Sequence, residues 1–389
     1  MRYIQRILAG ELHSALAQYP VVTIFGPRQA GKTTFVRTEC PGFAYVNLEE
    51  PDTRAMAVED PKAFLNKLSR PAILDEIQRV PELLSYIQVM VDDEGLNGSF
   101  ILTGSHQLRL GQAVSQSLAG RTAVLTLLPL SIEELSAAVR DDERGSMLRR
   151  GFLPRIHDQS QEPTRAYRNY FQTYVERDLR SLLLVKDLSK FETFMRLLAG
   201  RTGRLFVASS LATELGVSYK TVQEWVSILE ASYIVRILRP YHANYGKRLV
   251  KTPKLYFVEP GLACYLLGIE SDDQVERDPL FGSLFENMVV MEAVKARANR
   301  GLEPSLYFIR DSNGVEVDLV LDRRPVPLPI EIKASTTYHP DFRKGLERFD
   351  AMIGTSATGY VVYGGDADQV GGLGDAVGEP PLDGRFDRV

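Results

Sequence analysis

Residues 26–33 read Gly-Pro-Arg-Gln-Ala-Gly-Lys-Thr, and this stretch decides the fold of the first part of the chain. It follows the apolar run 21–25, which is typical of a buried strand, and precedes a helix-compatible run that begins at Thr34. In a G-x-x-x-x-G-K-[ST] loop, backbone N–H groups surround a polyphosphate, the lysine reaches its β- and γ-phosphates, and the hydroxyl ligates Mg²⁺. We therefore predict that ATP or another nucleoside triphosphate binds with Mg²⁺ at Gly26, Pro27, Arg28, Gln29, Ala30, Gly31, Lys32, Thr33 and Thr34.

Apolar runs alternate with helical patterns from residue 21 to about residue 140. The runs lie at 43–48, 72–74, 100–103 and 124–127, and Ser131 to Glu134 has the pattern of a capping box that starts a further helix. This alternation predicts an α/β fold with a parallel sheet that is covered on both faces.

Two carboxylates, Asp75 and Glu76, end the run that begins at Pro71. At the carboxyl edge of a parallel sheet, Asp75 can hold the water shell of Mg²⁺ while Glu76 polarises the attacking water as a base. The pair, beside the phosphate loop, predicts hydrolysis of the nucleotide.

Further candidates lie near the ends of the other runs. Thr103 or Ser105 could bring a hydroxyl to the γ-phosphate, although a plain turn is an open alternative. Arg121 could neutralise transition-state charge, in some proteins from a neighbouring subunit, or it could form a surface salt bridge. A homo-oligomer is therefore one expectation for this chain.

The segment 207–230 has the pattern of a helix-turn-helix, followed by strand-like runs at 233–238 and 254–258 that could form a wing. The loop between these runs is basic, and the second helix carries one cation. These residues, which could contact DNA phosphates, are Lys247, Arg248, Lys251 and Lys220. With so little charge on the recognition helix, a packing or protein-contact role is an equal alternative.

A third set of polar residues lies in the last part of the chain. Glu286 is on a helix that starts near residue 284, Asp318 is inside the run 315–321, and Glu331 and Lys333 end the run 329–332. The i, i+2 spacing puts Glu331 and Lys333 on one face of a strand, where Asp318 can meet them. Asp318 and Glu331 could hold a second Mg²⁺ or Mn²⁺ for phosphodiester hydrolysis; a solvated strand end is the alternative.

Composition excludes several classes of protein. The 389 residues carry a net charge of −4, so any contact with a polyanion must come from a local patch. Cys40 and Cys264 lie far apart, which supports neither a disulfide framework nor a zinc site. Without an apolar run of ~20 residues we expect no membrane span. A reducing, cytoplasmic location is the simplest expectation.

Together, these motifs resemble a widespread bacterial and archaeal family of AAA-type ATPases with a C-terminal domain of unknown function. The resemblance runs from Tyr3 to Thr336 and includes the motifs at 26–33, 45–49, 74–78, 102–105, 118–121, 284–287, 314–318 and 331–335. It implies an ATPase domain over 1–155, a helical and winged-helix module over 156–275 and a restriction-endonuclease-like α/β domain over 276–363. The Gly-, Asp- and Pro-rich tail 364–389 is expected to be disordered.

The resemblance also implies that Glu286, Asp318, Glu331 and Lys333 occupy the E…D…E-x-K positions of the restriction-endonuclease superfamily. Two hypotheses follow. In the first, ATP turnover drives DNA processing by a metal-dependent nuclease. In the second, the chain is a nucleotide-dependent switch in signalling or defence whose C-terminal fold is a catalytically inactive protein-contact module.

Overall fold

Five parallel strands form the first sheet of this computed structural model, which describes residues 3–105, 114, 116–136, 144–174, 187–241, 250–311, 314–323, 325–353, 359–365, 369–371 and 374–377. The sheet has the order β2-β3-β4-β1-β5, and β1, β3 and β4 are buried along their whole length. The predicted parallel sheet is confirmed, with strand ends shifted by one or two residues. The strands are β1 (Val21–Phe25), β2 (Ala44–Asn47), β3 (Ala72–Asp75), β4 (Phe100–Gly104) and β5 (Thr122–Thr126).

Helices cover both faces of this sheet. One apolar cluster includes Leu12 and Phe35, and the other includes Leu83 and Ile87. The Ser131 capping box is confirmed, because Ser131 Oγ accepts from the Glu134 N–H at 3.1 Å and Glu134 Oε2 accepts from the Ser131 N–H at 2.9 Å. The helices are α1 (Ala9–Gln18), α2 (Lys32–Glu39), α3 (Pro51–Glu59), α4 (Pro61–Lys67), α5 (Leu83–Glu94) and α6 (Ile132–Ser136).

The middle of the chain is helical, as its pattern predicts. Gly216, at φ 61°, turns the chain between its last two helices, and Ser218 Oγ caps the second by accepting from the Thr221 N–H at 3.0 Å. Trp225 packs edge-on against Phe194 at 5.0 Å between ring centroids. The helices are α7 (Arg144–Arg150), α8 (Pro154–Asp158), α9 (Pro163–Tyr170), α10 (Leu188–Ala199), α11 (Ala208–Leu215) and α12 (Tyr219–Ala231).

Eight strands form a mixed second sheet of order β12-β13-β11-β10-β9-β8-β6-β7. β6 (Val235–Pro240) pairs with β7 (Lys254–Phe257), and its far end also pairs in parallel with β8 (Leu306–Arg310). The two expected wing strands thus belong to the sheet of the last part, and one apolar cluster runs from Leu128 to Val362. The other strands are β9 (Glu316–Leu321), β10 (Leu328–Lys333), β11 (Gly359–Tyr363), β12 (Gln369–Gly371) and β13 (Gly374–Val377).

The remaining helices are α13 (Pro260–Leu266), α14 (Asp272–Arg277), α15 (Phe281–Ala298) and α16 (Lys344–Ile353). Part of the tail differs from the disorder expected of it, because β12 and β13 extend the sheet from β11. Backbone pairing at a sheet edge requires few large apolar side chains, so composition alone did not reveal these strands. Of the helices that the structure describes, none has both the length and the apolar character of a membrane span.

Candidate functional site

The phosphate loop joins the end of β1 to the start of α2, as the motif requires. Gly26 has φ 156°, and a Cβ there would lie 2.0 Å from the carbonyl oxygen of Leu127. Gly31 caps α2 in the left-handed region, at φ 90°. Both glycines are therefore needed for the loop to keep this path, which leaves the N-terminus of α2 free to face an anion.

Lys32 lies inside the loop. Its Nζ donates to the carbonyl oxygens of Gly26 and Pro27, both at 2.9 Å, and the residue is only 6% exposed. Burial lowers the pKa of Lys32 to about 8, although the carboxylates of Glu76 and Asp75 oppose this shift. The ammonium is thus held at the loop with few solvent contacts, where a phosphate would be a better partner than neutral carbonyls.

Asp75 lies at the end of β3 and accepts hydrogen bonds from three hydroxyl groups. Its Oδ2 accepts from Thr33 Oγ1 at 2.8 Å and from the Tyr45 hydroxyl at 2.7 Å, and its Oδ1 accepts from Thr103. A hydroxyl beside a carboxylate is the oxygen pair that suits Mg²⁺, so Thr33 and Asp75 fit the ion that the loop implies. Tyr45, which lies on the neighbouring strand β2, belongs to the motif at 45–49 but had no predicted role.

Glu76 has φ 57°, in the left-handed region that non-glycine residues rarely adopt. Its carboxylate accepts from Ser105 Oγ at 3.1 Å and from the amide of Gln78. Thr103, predicted with Ser105 as a candidate hydroxyl for the γ-phosphate, is fully buried and accepts from the Glu76 N–H at 3.2 Å. Because its hydroxyl also donates to Asp75, Thr103 links the two acids.

A cleft of about 870 Å³ lies over the phosphate loop, a volume in the range of small-molecule sites. The first part of the chain contributes Tyr3, Arg6 and Glu76, and the helices of the middle part contribute the opposite wall. The sequence carried no motif that could have identified this second wall. It is formed by Pro154, Arg155, Asp158, Gln159, Thr173 and Tyr174.

The loop before Pro154 is held by Glu259, which lies just before α13. Glu259 Oε1 accepts from the Phe152 N–H and from the Tyr167 hydroxyl, both at 2.9 Å. Burial raises the pKa of Glu259 to about 7, although Lys295 and these hydrogen bonds oppose it. A Cβ on Gly151 would lie 2.0 Å from the same oxygen. The second wall of the cleft therefore depends on a residue distant in sequence.

Arg121 is not close to the phosphate loop of its own chain. It precedes β5, whose first residue, Thr122, pairs with the first residue of β1, whereas the loop follows the last. Its guanidinium lies 2.5 Å and 2.8 Å from the two carboxylate oxygens of Asp92 at this opposite edge of the sheet. Any part in hydrolysis would require a second copy of the chain.

The predicted neighbours on β9 and β10 do meet. Lys333 Nζ lies 3.0 Å from Asp318 Oδ2 and 2.6 Å from Glu331 Oε2. Burial and the charge of Asp318 raise the pKa of Glu331 to about 9, in spite of Lys333. Although burial favours the neutral form of Asp318, the ammonium groups of Lys333 and Lys254 hold its pKa below the usual range. Burial and the neighbouring Asp318 charge thus favour the protonated form of the Glu331 carboxyl, whereas a metal ligand would be the carboxylate.

A different group of three carboxylates lies close enough to share an ion. Oxygens of Glu286, Glu316 and Asp318 all lie within 4.8 Å of one another. Glu316 had no predicted role, although its i, i+2 spacing from Asp318 puts both residues on one face of β9. Lys254 Nζ contacts Glu316 and lies 2.7 Å from Glu286 and 4.0 Å from Asp318. An ammonium therefore lies among the three acids.

Two of the four cations that were predicted to contact DNA, Lys220 and Lys251, lie within the described residues. Lys220 is exposed and lies 3.8 Å from Glu224, so its charge is partly balanced. Lys251 lines a shallow groove with Val207 and Tyr219. Lys247 and Arg248 lie outside the described residues.

Comparison with protein families matches residues 18–136 to an AAA domain, 143–273 to a domain of unknown function (DUF8612) and 281–377 to another (DUF4143). The uncharacterized proteins Rv2008c of Mycobacterium tuberculosis and Mb2031c of Mycobacterium bovis are each 33% identical over 337 residues, which cover 86% of this chain and 74% of theirs. A solved structure, the Walker-type ATPase PABY2304 of Pyrococcus abyssi, has a TM-score of 0.46 and 14% identity, covering 67% of this chain and 94% of its own. The match of the family model to residues 18–136 shows that this part of the chain is an AAA-type ATPase domain.

Proposed function

We propose that this chain, which belongs to the family of the mycobacterial proteins Rv2008c and Mb2031c, binds ATP with Mg²⁺ and hydrolyses it. The observation that carries the proposal is the convergence of Lys32, Thr33, Asp75 and Glu76 at one edge of the first sheet. A phosphate loop, a hydroxyl–carboxylate pair and a second carboxylate within one cleft are the parts that phosphoryl transfer to water requires.

Each residue has a separate task. Lys32 binds the β- and γ-phosphates, Thr33 and Asp75 would hold Mg²⁺, and Glu76 takes the proton of the attacking water. When bound, the ion neutralises charge that develops on the phosphate oxygens. Thr103 and Ser105 keep the two acids oriented through the hydrogen bonds described above.

The test compares Glu76→Gln with Lys32→Ala. Glu76→Gln should bind ATP but hydrolyse it at least roughly 100-fold more slowly, because an amide cannot accept the proton. Lys32→Ala should lose ATP binding. Glu59→Gln, an exposed acid at the end of α3, is the matched control and should hydrolyse ATP normally. Unimpaired turnover by Glu76→Gln would refute the assignment of the base.

A second proposal is that nucleotide binding acts as a switch for the C-terminal part. The phosphate loop is tied to Arg6, whose Nη1 donates to the Ala30 carbonyl at 2.9 Å and whose Nε lies 3.0 Å from Glu134. Glu134 caps the helix that begins with Ile132. The phosphate loop is therefore connected by buried polar contacts to the segment 130–134.

This segment is in turn bonded to α15 of the C-terminal part. Glu292 Oε2 accepts from the Ile132 N–H at 2.8 Å, and Lys295 Nζ donates to the Leu130 carbonyl at 2.8 Å. These contacts, together with a cleft whose walls come from the first and middle parts of the chain, support a change in the C-terminal part on nucleotide binding. Hydrogen exchange with and without ATP, in Glu76→Gln, should show altered protection in α15. Unchanged exchange there in the ATP-saturated protein would refute the switch.

DNA processing is a third proposal, and fewer observations support it. The helix–turn–helix order of α11 and α12, followed by β6 and β7, supports a winged helix that could meet DNA, and α15 with β9 and β10 supports a restriction-endonuclease-like fold. The ion pair of Lys220 with Glu224 weakens the case for DNA binding, because it balances part of the lysine charge. Binding of duplex DNA that does not weaken with added salt or with Lys251→Ala would argue against this surface.

A further inference from the structure

The three carboxylates of the C-terminal part surround a lysine that comes from an earlier strand of the same sheet. Glu286 comes from α15, Glu316 and Asp318 come from β9, and Lys254 enters from β7 of the preceding part. Lys254 is 2% exposed, and Tyr256, two residues along β7, donates its hydroxyl to Glu286 at 2.5 Å. The strand β7 thus supplies two donors to the carboxylates, and Arg310 on β8 lies 3.2 Å from Glu316.

We propose that the ammonium of Lys254 takes the place of a divalent cation among Glu286, Glu316 and Asp318, so that the protein binds no metal ion there. An ammonium offers three N–H donors without an acceptor, and here three carboxylates surround it. Three closely spaced acids, of which Asp318 is buried and Glu286 and Glu316 are half-buried, repel one another unless a cation lies between them. Lys254 supplies that cation as part of the chain.

Lys254 has little freedom to leave. Its backbone pairs with Leu238 on β6 and bridges to Leu205, and its ammonium lies 5.5 Å from the ring centroid of Phe308. A divalent ion would have to share the carboxylates with this ammonium at a few ångströms, where like charges repel strongly in a medium of low dielectric constant. The site therefore does not fit the metal that a nuclease of this fold would use.

Lys333 differs from Lys254 and provides a matched control. Its side chain is 33% exposed, and it pairs with Asp318 Oδ2 and Glu331, on the other side of Asp318. Asp318 Oδ2 also accepts from the Ile332 N–H at 2.8 Å. Removal of Lys333 consequently leaves Lys254 among the three acids. Removal of Lys254 leaves no cation between them, with Arg310 still beside Glu316 at 3.2 Å and Lys333 still beside Asp318.

The experiment measures thermal unfolding with and without Mn²⁺, in a Thr33→Ala, Asp75→Asn background that lacks the nucleotide-linked ion site. Lys254→Ala should melt at a lower temperature and should recover on the order of 5 °C when Mn²⁺ is present at about 100-fold above its Kd. The background protein and its Lys333→Ala variant should show no such recovery. Adding Asp318→Asn to Lys254→Ala should abolish the recovery.

Direct Mn²⁺ titration of the same background protein, with and without Asp318→Asn, covers the case in which Lys254→Ala does not fold. Equal Mn²⁺ binding by the two proteins supports the proposal. Binding that Asp318→Asn removes would overturn it, and so would a folded Lys254→Ala that Mn²⁺ does not stabilise. None of these readouts involves ATP, so the outcome is separate from that of the ATPase assignment.

Discussion

Raising the pH should weaken ATP binding through Lys32. Burial lowers the pKa of this lysine to about 8 in the free protein, against the opposing effect of Glu76 and Asp75. The negative triphosphate favours the ammonium form and raises the pKa in the complex. Binding above pH 8 therefore takes up a proton, and the affinity for ATP falls as the pH rises.

The size of the effect follows from the fraction of free protein that carries the ammonium. With a pKa of about 8, this fraction falls from about nine-tenths at pH 7 to about one-tenth at pH 9. The dissociation constant should therefore increase about tenfold over this range, which corresponds to about 1.4 kcal/mol. ATP itself is largely ionised over the range, since the last phosphate pKa lies near 6.

Isothermal titration of the wild-type protein with a non-hydrolysable ATP analogue and Mg²⁺ measures both quantities without turnover, and it keeps the Glu76 carboxylate that contributes to the Lys32 pKa. Repeating it in two buffers of different ionisation enthalpy should reveal proton uptake at pH 8.5. Lys32→Arg is the control, because a guanidinium stays charged and its affinity, whatever its value, should not change with pH. A constant affinity for the wild-type lysine between pH 7 and pH 9, without proton uptake, would refute the reasoning.

Three further outcomes are expected. The raised pKa of Glu259 makes its contribution to stability complete at low pH and lost as the pH rises through about 7. Between pH 6 and pH 8, the free energy of unfolding measured in urea should therefore fall by on the order of 1 kcal/mol more for the wild type than for Glu259→Gln, and an equal fall in the two proteins would contradict this. Gly151→Ala should weaken ATP binding, because the added Cβ would lie 2.0 Å from Glu259 Oε1. Gly120→Ala is the control, because nothing lies within 4 Å of a Cβ there, and it should bind ATP normally. Equal effects of the two substitutions in ATP titrations would contradict the role of the Gly151 loop. If Arg121 acts in a neighbouring copy, mixing inactive Arg121→Ala with inactive Glu76→Gln should restore part of the ATPase rate, and no recovery in demonstrably mixed oligomers would argue against it.

The sequence alone was sufficient for the phosphate loop and its acids. Strand, loop and helix are consecutive in the chain, so the positions of Gly26, Lys32 and Thr33 are set by local order. Asp75 could be assigned because parallel strands end at one edge of the sheet. The contact of Lys333 with Glu331 likewise follows from the two-residue period of a strand.

Only the tertiary structure decided which distant groups complete each site. Lys254 reaches Glu286 because β7 joins the sheet of the following part, and Glu259 supports the cleft because α13 packs near the Gly151 loop. Arg121 lies at the edge of the sheet away from the loop because β5 runs parallel to β1. Sequence periodicity shows which face of a helix or strand is apolar, but it does not show which other helix or strand covers that face. Elements that are far apart in the chain are brought together by packing and by the pairing of buried charges, which depend on the tertiary structure.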